Sequence, residues 1–159
     1  MFAKGEKIVY PMYGAGVIED LEEKLVDGVS EVYYVLSIPV LNLKIMVSAS
    51  KAEGLGIRKV CSKEEVLCII KNAVTIAAVS DQNWNQRYKE NLERIKTGKL
   101  NEVTSVFKNL LSREKNRSLS SAEKKMLTTA KQIIISEIAV SRNIEKGEAE
   151  ILLYETVSV

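Results

Sequence analysis

The tract from Asn83 to Lys99 opens Asn83-Trp84-Asn85-Gln86-Arg87-Tyr88-Lys89 and carries the only tryptophan of the chain. A flat aromatic beside Arg and Lys suits a polyanion that also offers flat bases, so nucleic acid is the first partner implied. A second basic cluster follows: Arg113, Lys115 and Arg117, then Lys124, Lys125 and Lys131. Lys124 and Lys131 stand seven apart and so share one face of a helix. Two readings are open for each feature. Trp84, Tyr88, Leu92 and Ile95 recur at i, i+4, i+8 and i+11, the stripe of a helix face packed on a core. Alternatively, the indole is part-exposed and inserts at a base step in the minor groove, with Asn83, Asn85, Arg87 and Lys89 at phosphate or sugar. The lysines are either a solvated, snorkelling surface or a phosphate-binding one. Arg87 and Lys124 are the cations best placed for the second reading.

Charge supports a polyanion for the second half. The whole chain carries only +2, but Ser80 to Lys131 holds 12 Lys and Arg against 6 Asp and Glu. Met1 to Val60 holds 7 against 8, with the acidic run Glu19-Asp20-Leu21-Glu22-Glu23 arguing against nucleic acid there. The chain has no histidine, which removes the commonest general base and metal ligand. Cys61 and Cys68 without His partners do not make a zinc site and read as buried small side chains. Tyr13-Gly14-Ala15-Gly16 lacks the GxGxxG or Walker spacing and reads as a tight turn. No cofactor, metal or enzymatic activity is expected. The start lacks a signal-peptide pattern and no apolar run approaches the roughly 20 residues of a membrane span. A cytoplasmic, monomeric protein without membrane contact is therefore expected.

These residues must be held by two different kinds of structure. Up to about residue 60 the pattern is strand and turn. Lys7 to Tyr10, Val17 to Glu22 and Glu31 to Ile38 are β-branched and aromatic runs, and Asp27-Gly28 is a hairpin signal. Leu43, Ile45 and Val47 then alternate with Lys44, Met46 and Ser48, and Ile57 to Val60 offers a fifth strand. Five short strands predict a small SH3-like or Tudor-like β-barrel over residues 1–60. Beyond it the periodicity becomes helical. Capping boxes at Ser62/Glu65 and Ser120/Glu123 start helices, and Asn72 to Val79 reads as a less regular link to a helix beginning at Ser80-Asp81. Gly98 closes that helix. Val103, Val106, Phe107, Leu110 and Leu111 trace another face. Leu127, Ala130, Ile134 and Ile138 give a long helix one core stripe, and Gly147 precedes a last short helix through Ile151, Leu152 and Leu153. Residues 61–159 thus form a compact bundle of about five α-helices, and the fold class is α+β in two domains.

Three pieces of this sequence, in order and spread over nearly its full length, resemble the bacterial CarD/CdnL family of transcription regulators. They are Val9-Tyr10-Pro11-Met12-Tyr13-Gly14-Ala15-Gly16, the Asn83 to Gly98 tract, and Leu119-Ser120-Ser121-Ala122-Glu123-Lys124-Lys125-Met126-Leu127 with Ala130. The resemblance implies a Tudor-like domain that binds the β subunit of RNA polymerase, followed by a helical DNA-binding domain. It implies that Trp84 is a minor-groove wedge at the upstream edge of the melting −10 region, with Arg87, Lys89 and Lys124 at the DNA backbone. Lys125, Lys131 and Asn83 complete the candidate DNA surface. Lys24 falls where the family places a basic residue facing the polymerase, and Val26, Lys44 and Met46 are the other candidates there. Met46 stands where the family has an arginine, and Lys44 is expected on the opposite strand face. The function implied is stabilisation of the open promoter complex with little base specificity. The alternative is a protein–protein adaptor with no direct DNA role.

Overall fold

The computed structural model describes residues 1–75 and 83–158. Its first part is a single antiparallel sheet of five strands: β1 (Lys7–Tyr10), β2 (Gly14–Val26), β3 (Val29–Ile38), β4 (Leu43–Ser48) and β5 (Arg58–Lys59). The order is β4-β3-β2-β1-β5, a meander whose last strand returns beside the first, which is the expected Tudor-like barrel. Asp27 and Gly28 both take positive φ (51° and 80°) between the paired Val26 and Val29, as a two-residue hairpin turn demands. The register slips between Ile18 and Asp20, so Glu19 is an extra residue in β2. Such a bulge bends its strand. Ile18, before it, packs in the barrel core with Ile8, Tyr34, Leu36, Ile38 and Val47. Beyond it, every residue from 19 to 30 is exposed, and β2 and β3 run out as a ribbon.

Register corrects one expectation. Lys44 lies opposite Ser37 and Met46 opposite Val35. Two residues apart on one strand, they share a face.

The second part is five helices: α1 (Lys63–Thr75), α2 (Trp84–Lys96), α3 (Leu100–Asn116), α4 (Ser121–Arg142) and α5 (Lys146–Val157). Helix α1 runs to Thr75, so Asn72 to Thr75 is helical and not part of a link. The rest of the expected link, and the expected helix start at Ser80-Asp81, lie outside the described residues. Gly147 sits inside α5, and Ile151, expected on its apolar face, is exposed while Leu153 is buried. No described helix is long and apolar enough to cross a membrane.

Helix α4 departs most from its expected single stripe. Every residue from Ile133 to Val140 is buried. Ile134, Ile138 and their neighbours join the bundle core around Phe107, while Val140 packs with Val9 and Ala15 of the barrel. A helix apolar all round is one enclosed on all sides; α4 lies between bundle and barrel. Gly14, Ala15 and Gly16, expected in a tight turn, instead open β2, paired with Tyr10, Val9 and Ile8. The packing of α4 explains why Gly14 and Ala15 are small. A side chain at Gly14 would collide with the Ser136 hydroxyl. That hydroxyl accepts the Ala15 N–H at 2.8 Å and donates to the Ile133 carbonyl at 2.6 Å.

One residue further, the Glu137 carboxylate is the buried polar centre of the molecule. Its Oε1 accepts from Arg58 Nη2 at 2.7 Å; its Oε2 accepts from Arg58 Nη1 and from the Cys61 N–H, both at 2.9 Å. The same guanidinium donates twice to the Gly98 carbonyl, at 3.0 and 2.8 Å. Gly98 takes φ +70° with Pro11 packed where a side chain would stand. A side chain is excluded there on both counts. Cys61 is half-buried beside this pair, and burial first, then the Glu137 charge, pushes its thiol up to about 11. Such a thiol is inert at neutral pH. Cys68, also expected to be buried, is exposed.

Removing Glu137 leaves the Arg58 guanidinium, 27% exposed, and the Cys61 N–H without their acceptor in a largely buried joint. Glu137→Ala is therefore expected to destabilise the fold by about 3–5 kcal/mol, measured by urea unfolding followed through far-UV circular dichroism.

Candidate nucleic-acid interface

Two helices start at the same place. Asn83 caps α2, its side-chain oxygen accepting the Gln86 N–H at 2.9 Å. Ser120 caps α4, accepting the Glu123 N–H at 3.2 Å. Side chains on a helix lean toward its N-terminus. Trp84, in the first turn, therefore extends past the end of α2 to reach the start of α4. Its indole N–H donates to Ser120 Oγ at 3.0 Å. The ring stacks on Tyr88, with centroids 5.4 Å apart and planes within 15°. Trp84 remains 42% exposed, whereas Ile95 at the far end of the same stripe is buried. Both readings of the stripe thus describe part of it: core at one end, solvent at the other.

One position below the indole, Arg87 enters the fold. Its Nε donates to Glu123 Oε2 at 3.0 Å and its Nη2 to Oε1 at 3.2 Å. The Glu123 side chain is only 2% exposed. Burial by itself would raise its pKa; the Arg87 hydrogen bonds and charge, with Arg113 nearby, outweigh that and hold it below the usual carboxylate value. Arg87, expected at a phosphate, is thus a rivet between α2 and α4. The convergence of two helix N-termini adds favourable potential for an anion.

The remaining candidates divide. Lys89, Lys124 and Lys125 are exposed. Lys131 is turned to α5, its ammonium 2.6 Å from Glu150 Oε1 and 5.2 Å from the Tyr154 ring centroid. On the barrel, the register places Lys24, Val26, Lys44 and Met46 on one face of the sheet. Lys24 Nζ reaches Met46 Sδ at 3.5 Å, and Lys44 pairs with Glu19, the bulge residue, at 3.1 Å. Met46 is 39% exposed, on β4, the outer strand of the sheet. Among the described residues no group of His, Cys, Asp and Glu could hold a metal ion.

Residues 65–154 match the family described as CarD, C-terminal domain, and residues 2–61 match the CarD-like/TRCF RID domain. The chain belongs to the CarD family. A Bacillus subtilis (strain 168) protein named "Putative transcription factor YdeB" is similar to it, 36% identical over 152 residues that cover 93% of this chain and 97% of that one. The CarD C-terminal match contains Trp84, Arg87, Lys89 and the α4 lysines. The CarD-like/TRCF RID match contains the sheet face with Lys24 and Met46.

Sequence reasoning about this CarD-family chain found Ser120 and Glu123 only as a capping box. That they also receive Trp84 and Arg87 depends on how α2 lies against α4, for which the box itself gives no signal.

The sign of the Glu123 effect gives a pH prediction. Its folded-state pKa is lowered, so its stabilisation is complete above about 4.5 and is lost as pH falls through the folded value. Melting temperature should decline on that acid limb, and Glu123→Gln should lower it at pH 7 while flattening the limb.

Proposed function

We propose that this CarD-family transcription regulator stabilises the open promoter complex, holding RNA polymerase with its barrel and melted DNA with its bundle. The observation that carries the reading is the indole of Trp84. It is the chain's only tryptophan, and it is held part-exposed where two helix N-termini meet, with Lys89, Lys124 and Lys125 exposed on the same two helices. An apolar wedge gains most where bases are already unstacked. Its binding energy is therefore available mainly in the melted state, and the closed–open equilibrium shifts by that difference in affinity. Lys89, Lys124 and Lys125 would neutralise phosphates without reading sequence. Arg87 supports the wedge from beneath through Glu123. Lys24, Val26, Lys44 and Met46 would meet the polymerase β subunit on one sheet face, with the outer edge of β4 beside them as a candidate for strand pairing.

Trp84→Ala is expected to shorten open-complex lifetime by about tenfold, the equivalent of ~1.4 kcal/mol, with polymerase binding unchanged and the fold retained at the assay temperature. An unchanged lifetime would favour a protein–protein adaptor. The double variant Lys124→Ala/Lys125→Ala should reduce the slope of log affinity against log salt by about 1 per lysine. Binding of the protein to polymerase–promoter complexes across a salt series measures it.

A further inference from the structure

We infer that Ser120 is the positioning residue of the wedge: its hydroxyl fixes the direction in which Trp84 presents its indole. The inference rests on the proposed role of Trp84 and adds to it a residue on a different helix. A serine hydroxyl has one proton and two lone pairs. Ser120 uses all three: it accepts the Trp84 indole N–H at 3.0 Å and the Glu123 backbone N–H at 3.2 Å, and it lies 3.4 Å from Glu123 Oε1 to donate. Capping α4 needs only one of these, and Gly caps nearly as well as Ser. The bond to the indole is therefore separable from the cap.

Trp84 needs such a partner because of where it sits. At the first position of α2 its side chain leans off the helix end, with no preceding turn of α2 to lie on. Tyr88 stacks on the ring and limits its tilt, but a stacked ring still slides and turns in its own plane. The Ser120 bond removes that freedom, because the indole N–H is the only polar group on the ring. Glu123, which receives the Ser120 proton, is itself clamped by Arg87. The direction of the indole is thus referred through Ser120 to the most firmly held point of the α2–α4 junction.

The test uses the full-length protein with polymerase and promoter DNA, comparing Ser120→Gly, Ser120→Thr and Trp84→Ala. Ser120→Gly removes the hydroxyl, and with it the indole acceptor and the side-chain cap, but a glycine N-cap costs little; Ser120→Thr keeps both bonds. In the free protein, where Trp84 is the only tryptophan, intrinsic fluorescence reads the indole directly. Ser120→Gly is expected to increase acrylamide quenching and to shorten open-complex lifetime by roughly two- to tenfold, the loss of one hydrogen bond. Its melting temperature should stay close to that of the parent, and Ser120→Thr should restore both readouts. The inference is overturned if Ser120→Gly leaves lifetime and quenching at parental values while Trp84→Ala shortens the lifetime. If Trp84→Ala itself has no effect, the wedge reading fails first and takes this inference with it.

Discussion

A carboxylate with no access to water organises this molecule. Glu137 lies in the middle of the longest apolar stretch of the chain, and ionised it is tolerated there only because three N–H groups point at it. Two come from the end of the barrel and one from the entry to α1. The guanidinium that neutralises it also grips the Gly98 carbonyl between α2 and α3. A buried charge tolerates little displacement of its partners, because each lost hydrogen bond leaves a desolvated group unsatisfied. The positions of β5, the α1 start and the α2–α3 link relative to α4 are all set by that one requirement. Apolar contacts between Val9, Ala15 and Val140 fill the rest of the joint, but apolar contact has no direction.

The second polar junction, at the other end of α2, works on the same principle on a smaller scale. Glu123 is nearly as buried as Glu137 and is likewise held by an arginine, here from helix α2 where Glu137 has one from strand β5. The two differ in what they adjoin. Glu137 is itself enclosed, while its partners Arg58 and Cys61 line an open cavity of about 790 Å³. Glu123 lies one residue pair below an exposed indole, so the same chemistry becomes a mount. Much of the candidate site is therefore made of residues that hold one another: Ser120, Glu123, Arg87 and Tyr88.

The strands, the Asp27-Gly28 hairpin and the starts of α1 and α4 are readable in the sequence, because each depends on neighbours along the chain. Asp27-Gly28, the two capping boxes and the alternation of Leu43 to Ser48 are local signals of this kind. Helix α4 shows where local signals end. A single stripe through Leu127, Ala130, Ile134 and Ile138 describes a helix with one apolar neighbour, and only the three-dimensional arrangement reveals the barrel on its other side. Ser136 and Glu137, the polar residues within the buried run from Ile133 to Val140, are polar attachments of α4 to the barrel. At the site, Trp84 stands out in the sequence as the only tryptophan, while its exposure is undecided by spacing alone. The cations were harder. Nothing in the local sequence separates Arg87, Lys89, Lys124 and Lys131 as basic helix residues, but Arg87 and Lys131 find carboxylates, Glu123 and Glu150, on other helices. The disposition of Lys44 and Met46, by contrast, was already implicit in the two-residue repeat of a strand.

Helix α2 is pinned at both ends by different parts of the molecule. Arg87 and Trp84 fasten its start to α4, and the Gly98 carbonyl just past its end is fastened to Arg58 of the barrel. Thirteen residues span about 20 Å at a helical rise. The helix is therefore a rigid spacer, and in the proposed complex the protein behaves as a calliper of set opening, anchored at one jaw. Such an instrument measures geometry and is blind to spelling. Promoters would be distinguished by how far from the polymerase surface their duplex first parts, and a lengthened or shortened α2 would change which promoters fit between the jaws.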